Sequence, residues 1–308
     1  MRRRTAAALV VLLTGAAALL AVLVWPGGDA AEPDRPAAAP TPAATASPVT
    51  ACTEAGVAAL DHSDPARGKL VWADEFDGDD VDADRRTVRD DTSLSLDEAL
   101  IRSANVSVAD GVLRIEARAD GDIDRPVTTG YLDTMGRYSR RHGRWEVRAR
   151  LPLEPGASRG LWPAFWLRAD ATSAEIDVLE AWGTPADDAP ADMERRYFWA
   201  VHEDTSHGQG ALTVDGDAAA QALLAEGFHT YAVDWVPGCL RFSLDGETTG
   251  VVDLAEHPRL AAALKDDVNM RLNLQVGSEF WGGVDLEGGA TVLPATFEVE
   301  HVRVYAPR

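Results

Sequence analysis

The stretch Glu175-Ile176-Asp177-Val178-Leu179-Glu180 brings three carboxylates into six residues. Paired carboxyl groups are the equipment of glycosidic bond cleavage, where one attacks the sugar or activates water and the other supplies a proton. Three acids could instead hold a hard cation, or simply face solvent on an exposed strand. Ile176, Val178 and Leu179 are strand formers, and a strand sends alternate side chains to opposite faces. Glu175 and Asp177 therefore share a face, while Glu180 falls out of phase with them. A β-bulge inserts one residue and resets the alternation beyond it. Two adjacent apolar residues, Val178 and Leu179, are what such a bulge looks like in a sequence. With the bulge there, all three acids line one face. Asp177 can then hydrogen-bond one glutamate and, by like-charge repulsion, raise the pKa of the other.

Such a strand needs neighbours, and the sequence supplies them. GRWEVRARL alternates Trp145, Val147, Ala149 and Leu151 against charged residues. NVSVADGVLRIEAR and CLRFSLDG each carry an Asp-Gly turn signal, the strongest short mark of a hairpin between alternating runs. MRLNLQVG sets Met270, Leu272, Leu274 and Val276 on one face and Arg271, Asn273 and Gln275 on the other. FHTYAVDWV and FEVEHVRVY are further strands. Helical signal is confined to Asp217–Gly227 (DAAAQALLAEG) and Pro258–Leu264. Many short strands with almost no helix predict an all-β fold, a β-jelly-roll sandwich of two antiparallel sheets. A sheet face carrying amides, with tryptophans nearby, suits a concave cleft for sugar. Nine tryptophans are available; most belong in a core, and two or three are expected to line the cleft.

The chain has 308 residues and a formal net charge of −21. That charge argues against nucleic acid as a partner, which needs clustered Lys and Arg. Three arginines precede an apolar run from Ala6 to Trp25. Residues 1–27 are therefore read as a signal peptide or an uncleaved membrane anchor. Both place the rest of the chain outside the membrane, secreted or tethered to its outer face. An Ala/Pro/Thr-rich linker follows over 28–67, and the folded domain is expected over 68–308. Export permits a disulfide between the two cysteines, Cys52 and Cys239, which would staple the N-terminal segment to the body. Two separate thiols are the alternative.

On these residues the chain resembles glycoside hydrolase family 16. EIDVLE matches the bulged E-x-D-x-x-E signature of that family. LVWADEFDG, GRYSRRHGRWEVRARLP, GLWPAFWLRAD, FHTYAVDWVPGCLRFSLDG and the closing VEHVRVY follow in the family's order over about residues 68–308. The resemblance implies a β-jelly roll whose open cleft cuts internal β-linkages of a polysaccharide with retention. It implies Glu175 as nucleophile, Asp177 as assisting acid and Glu180 as acid/base. Trp162, Trp166, Trp182, His202, Asn273, Gln275 and Trp281 fall where the family contacts or flanks sugar. No cofactor is required, but some members carry a structural calcium, for which Glu75 and Glu300 occupy comparable places. The first expected substrate is β-1,3-glucan, as for laminarinases. Ala181-Trp182-Gly183 and the acidic loop TPADDAPADMERRYF depart from the laminarinase pattern, which keeps another β-glycan or a bacterial exopolysaccharide open. Transglycosylation and a non-catalytic carbohydrate-binding module are the other readings, and monomer is the default state.

Overall fold

The computed structural model describes Cys52 and residues 68–94, 96–183, 192–205, 211–278 and 282–307. Residues 1–27, nearly all of the 28–67 linker, and Trp281 lie outside them. In chain order the strands are β1 (Gly68–Asp74), β2 (Thr87–Val88), β3 (Leu100–Ile101), β4 (Val106–Ala109), β5 (Val112–Ala117), β6 (Thr128–Thr129), β7 (Tyr131–Asp133), β8 (Gly143–Arg150) and β9 (Leu161–Arg168). They continue with β10 (Glu175–Glu180), β11 (Arg196–His202), β12 (Thr213–Ala219), β13 (His229–Val236), β14 (Cys239–Leu244), β15 (Glu247–Asp253), β16 (Asn269–Val276) and β17 (Ala295–Pro307). One short helix, α1 (Pro258–Ala263), carries Pro in its first turn, where the missing N–H costs nothing.

Two large antiparallel sheets make a sandwich, as the alternation predicts. One runs β15-β14-β13-β8-β17-β5-β4, with β1 also on β17; the other runs β12-β11-β10-β9-β16-β7-β2. The core between them is built from the inward phase of each strand. Phe165 and Leu167, Ile176, Leu272 and Leu274 come from the second sheet, and Trp145, Val147, Val233 and Phe242 from the first; all are at most 1% exposed. Trp199 of β11 reaches across and stacks on Phe242, ring centroids 4.5 Å apart. The first described strand begins at Gly68.

The expected helix at Asp217–Gly227 is absent. Thr213–Ala219 is a strand along the edge of the second sheet, paired residue for residue with β11. Its burial alternates with period two. Gly216 sits against the Trp199 ring, where a Cβ would lie 2.4 Å from the indole. The alanines favour helix intrinsically, but pairing with β11 and the fit against Trp199 override that weak preference.

Cys52 and Cys239 form a disulfide, with Cα atoms 5.4 Å apart. Cys239 opens β14, so the bridge ties the N-terminal segment to the sheet opposite the acidic strand.

Candidate active site

The bulge is where the sequence placed it. Against β9, Asp177 faces Trp166, Leu179 faces Phe165 and Glu180 faces Ala164, so Val178 is the extra residue. Against β11, Asp177 faces Ala200 and Glu180 faces Phe198, again two residues opposite one. Val178 and Leu179 are both fully buried in the core. Their burial fixes the reset, because a slip of one residue would drive the acids into the sandwich. Glu175, Asp177 and Glu180 consequently line one cleft of about 330 Å³ on the outer face of the second sheet.

Neighbouring strands complete that cleft. From β9 come Trp162, Ala164, Trp166 and Arg168; from β16, Arg271, Asn273 and Gln275; from β7, Tyr131. Leu94, Leu96 and Thr205 close the rim. Trp166 Nε1 donates to Asn273 Oδ1 at 2.7 Å, and the Arg271 guanidinium lies 4.7 Å from the Trp166 ring centroid. Tyr131 meets the same indole edge-on at 6.5 Å. Trp166 is thus fixed by three neighbours, as an aromatic platform must be if it is to bind without losing rotamer freedom.

The acids have different company. Glu175 Oε2 accepts from Arg168 Nη1 at 2.9 Å and lies 3.2 Å from the Thr205 hydroxyl. Glu180 Oε1 accepts from Trp162 Nε1 at 2.9 Å. Asp177 Oδ2 lies 2.9 Å from His202 Nε2, an ion pair when the imidazole is protonated. His202 Nδ1 is 2.8 Å from the Thr213 hydroxyl, which orients the ring.

Burial and then the Asp177 charge push Glu175 up to about 7, against the pull of His202 and Arg168. The same two causes, joined by Glu175 itself, hold Glu180 well above the usual carboxylate range. Burial pulls His202 down, but Asp177, Glu175 and Glu180 outweigh it and lift the imidazole to about 9. At neutral pH His202 is a cation among three acids. The two glutamates titrate as a coupled system, with Glu175 the easier to ionise because it alone of the two carries a guanidinium among the described residues. An ionised carboxylate and a protonated carboxyl group on one face is what a double-displacement glycosidase needs.

Other expectations land differently. Trp182 is 6% exposed and does not line the cleft; it stacks on Phe198 at 3.9 Å and meets Trp162 edge-on at 6.4 Å. Phe198 is in register with Glu180 on the cleft face, so Trp182 packs between two side chains of that face and braces Trp162 from the side. Gln275 lines the cleft, yet its Nε2 donates to Leu96 O at 2.8 Å and so anchors the rim loop. Asn273 also spends its amide oxygen on Trp166. Arg168, Thr205, Tyr131, Leu94 and Leu96 are cleft residues that the sequence reading missed, and Arg271, placed on the polar face of its strand, joins them. Arg168 was findable, since it continues the phase of Trp162, Ala164 and Trp166. The rim leucines lie outside any strand and gave no periodic signal.

Metal binding fares poorly at both candidate places. Ligand atoms of Glu175, Asp177 and His202 lie within 4.8 Å of one another, but Glu175 already pairs with the Arg168 guanidinium, which a cation there would have to displace. Glu75 gives both oxygens to Arg303, at 2.8 Å each, and that hydrogen bond lowers its pKa. Glu300 pairs with Arg148 at 2.5 Å. Calcium would have to displace a guanidinium at either residue, so these two do not fit the structural calcium expected of them.

Comparison with known proteins bears on the same strands. The family model described as "Glycosyl hydrolases family 16" matches residues 87–283, which include all three acids. The beta-glucanase of Rhodothermus marinus is 29% identical over 273 residues, covering 80% of this chain and 88% of that protein. Glucan endo-1,3-beta-glucosidase A1 of Niallia circulans is 28% identical over 277 residues, covering 79% of this chain and 39% of that protein. Among solved structures, the laminarinase of Rhodothermus marinus superposes with a TM-score of 0.66 at 28% identity, covering 78% of this chain and 98% of that one.

Proposed function

The chain belongs to glycosyl hydrolases family 16 and is a glycoside hydrolase; from that premise we propose that it cleaves internal β-1,3 linkages of a glucan, with retention, through Glu175, Asp177 and Glu180. The observation that carries the reading is the bulged β10, which puts three acids on one face of a cleft walled by Trp162 and Trp166. The names of the Niallia circulans and Rhodothermus marinus relatives support the β-1,3 linkage.

In the first step Glu175 attacks the anomeric carbon while Glu180 protonates the departing glycosidic oxygen. In the second, Glu180 takes a proton from water, and that water displaces Glu175. Asp177 and His202 act on the charges of both glutamates, and the indoles of Trp162 and Trp166 offer the sugar rings flat apolar faces.

We further place the enzyme outside the cell, exported and either released or tethered through residues 1–27, and acting as a monomer. The Cys52–Cys239 bridge supports an oxidising compartment. Reducing-end release from laminarin, lichenan, curdlan, agarose, xyloglucan and a bacterial exopolysaccharide tests the substrate. Activity on laminarin that vanishes in Glu175→Ala is the expected result. Activity confined to another polymer replaces the substrate, and binding without cleavage of any polymer overturns the enzymatic reading.

A further inference from the structure

Arg168 is the one cation in an ion pair with a cleft glutamate among the described residues. Its place is set by the sheet: on β9 it sits opposite Glu175 of β10 on one side and Asn269 of β16 on the other. Asn269 Nδ2 donates to its carbonyl oxygen at 3.1 Å. Nη1 donates to Glu175 Oε2 and also to the Thr205 hydroxyl, which closes a three-membered set around that one oxygen. Both side chains of the pair are mostly buried, 20% and 15% exposed, so solvent screens the contact less than on an open surface. Glu175 Oε1 takes no part in it. Glu180 has an indole N–H in the corresponding place and, among the described residues, no guanidinium.

We propose that Arg168, braced by Thr205, is a positioning residue that reserves Oε1 of Glu175 as the attacking oxygen and speeds breakdown of the glycosyl-enzyme. The inference rests on Glu175 being the nucleophile. When Oε1 bonds to the anomeric carbon, the glycosidic C–O bond breaks, its electron pair goes to the leaving oxygen, and that oxygen takes the proton of Glu180. Glu175 loses its charge in this step, so a guanidinium on Oε2 opposes it. In the second step a water oxygen bonds to the anomeric carbon, its proton goes to Glu180, and the C–Oε1 bond breaks with its electron pair returning to the carboxylate. Negative charge is regained beside Arg168, which favours this step. Arg168 thus shifts the balance from the first step towards the second.

The charged groups facing Glu175 are Arg168 from β9, Asp177 and Glu180 from its own strand, and His202 from β11. Removing the first leaves two acids against one imidazolium. The acidic limb of kcat/KM should then move to higher pH, which a purely structural role for Arg168 would not produce.

The test is pre-steady-state kinetics on a 2,4-dinitrophenyl β-glycoside of the disaccharide unit from the active polysaccharide, whose good leaving group makes the first step fast. Wild type, Arg168→Gln, Arg168→Lys and Thr205→Val are compared, with intact-protein mass spectrometry during turnover. Arg168→Gln should keep its burst, accumulate glycosyl-enzyme, and turn over about 10–100-fold more slowly, the worth of a hydrogen bond to a charged group. Arg168→Lys, which keeps a cation, should recover most of the rate. If Arg168→Gln fails to fold, Thr205→Val must show the same changes in weaker form. Loss of burst and turnover together, or an unmoved acidic limb, overturns the proposal. Glu175→Ala with added azide is run beside these. Formation of an α-glycosyl azide supports Glu175 as nucleophile and leaves Arg168 to be judged alone, whereas no rescue overturns the nucleophile assignment and this proposal with it.

Discussion

Reducing the Cys52–Cys239 bridge should cost this protein much stability and almost no catalysis. The bridge closes a loop with a sequence separation of 187. Chain entropy assigns a closed loop of that length about 5 kcal/mol at 25 °C. A domain of this size loses ~2–4 °C in Tm per kcal/mol, so the upper limit is a fall of ~10–20 °C. The measured fall should be smaller, because Cys52 lies outside the sheets and regains freedom in the native state as well once cut. Cys239 belongs to β14 of the first sheet, whereas the acids and their aromatic walls belong to the second. Sites so separated should add independently. The assay is a melting curve by circular dichroism with and without reductant, repeated on Cys52→Ser/Cys239→Ser, with laminarin hydrolysis at 25 °C on each sample. The expected outcome is a Tm lower by several degrees with kcat/KM within about twofold of the oxidised enzyme. An unchanged Tm would refute the loop-closure reasoning, and a collapse of kcat/KM in still-folded protein would refute the separation of bridge and cleft.

Two further outcomes follow from the same contacts. The Trp162 N–H favours ionised Glu180, so Trp162→Phe should raise the acid's pKa further and move the basic limb of kcat/KM to higher pH by about one unit; a downward shift would show that Trp162 does not stabilise the carboxylate. Because Glu75 and Glu300 are held by Arg303 and Arg148, EDTA should leave Tm and activity unchanged, and a large drop in Tm that calcium restores would show a metal site built from other residues.

The sandwich was legible because its strands keep strict alternation over long runs, as β5, β8 and β16 do. The bulge was legible for the same reason: one doubled apolar position in an alternating strand is the mark of an inserted residue. Side-chain direction after an irregularity was not. Trp182 follows β10 by two residues, beyond the regular pairing, and periodicity could not show that it stacks on Phe198. The alanine run at 218–220 read as helix because composition reports intrinsic preference, whereas the pairing of β12 with β11 is a long-range fact. Gln275 and Asn273 were correctly placed on the polar face, but only the structure shows that their amides hold Leu96 and Trp166. Arg168 stands in phase with the cleft residues of β9, yet its meaning depends on lying opposite Glu175, which no single strand reveals.

The central claim is a double displacement run from one face of a bulged strand. The most direct measurement is proton NMR of the first reducing ends released from laminarin, before mutarotation equilibrates them. The β-anomer appearing first is the predicted result. An α-anomer first would contradict the account, because it would require the carboxylates of β10 to activate water for a single inverting attack instead of forming a glycosyl-enzyme on Glu175.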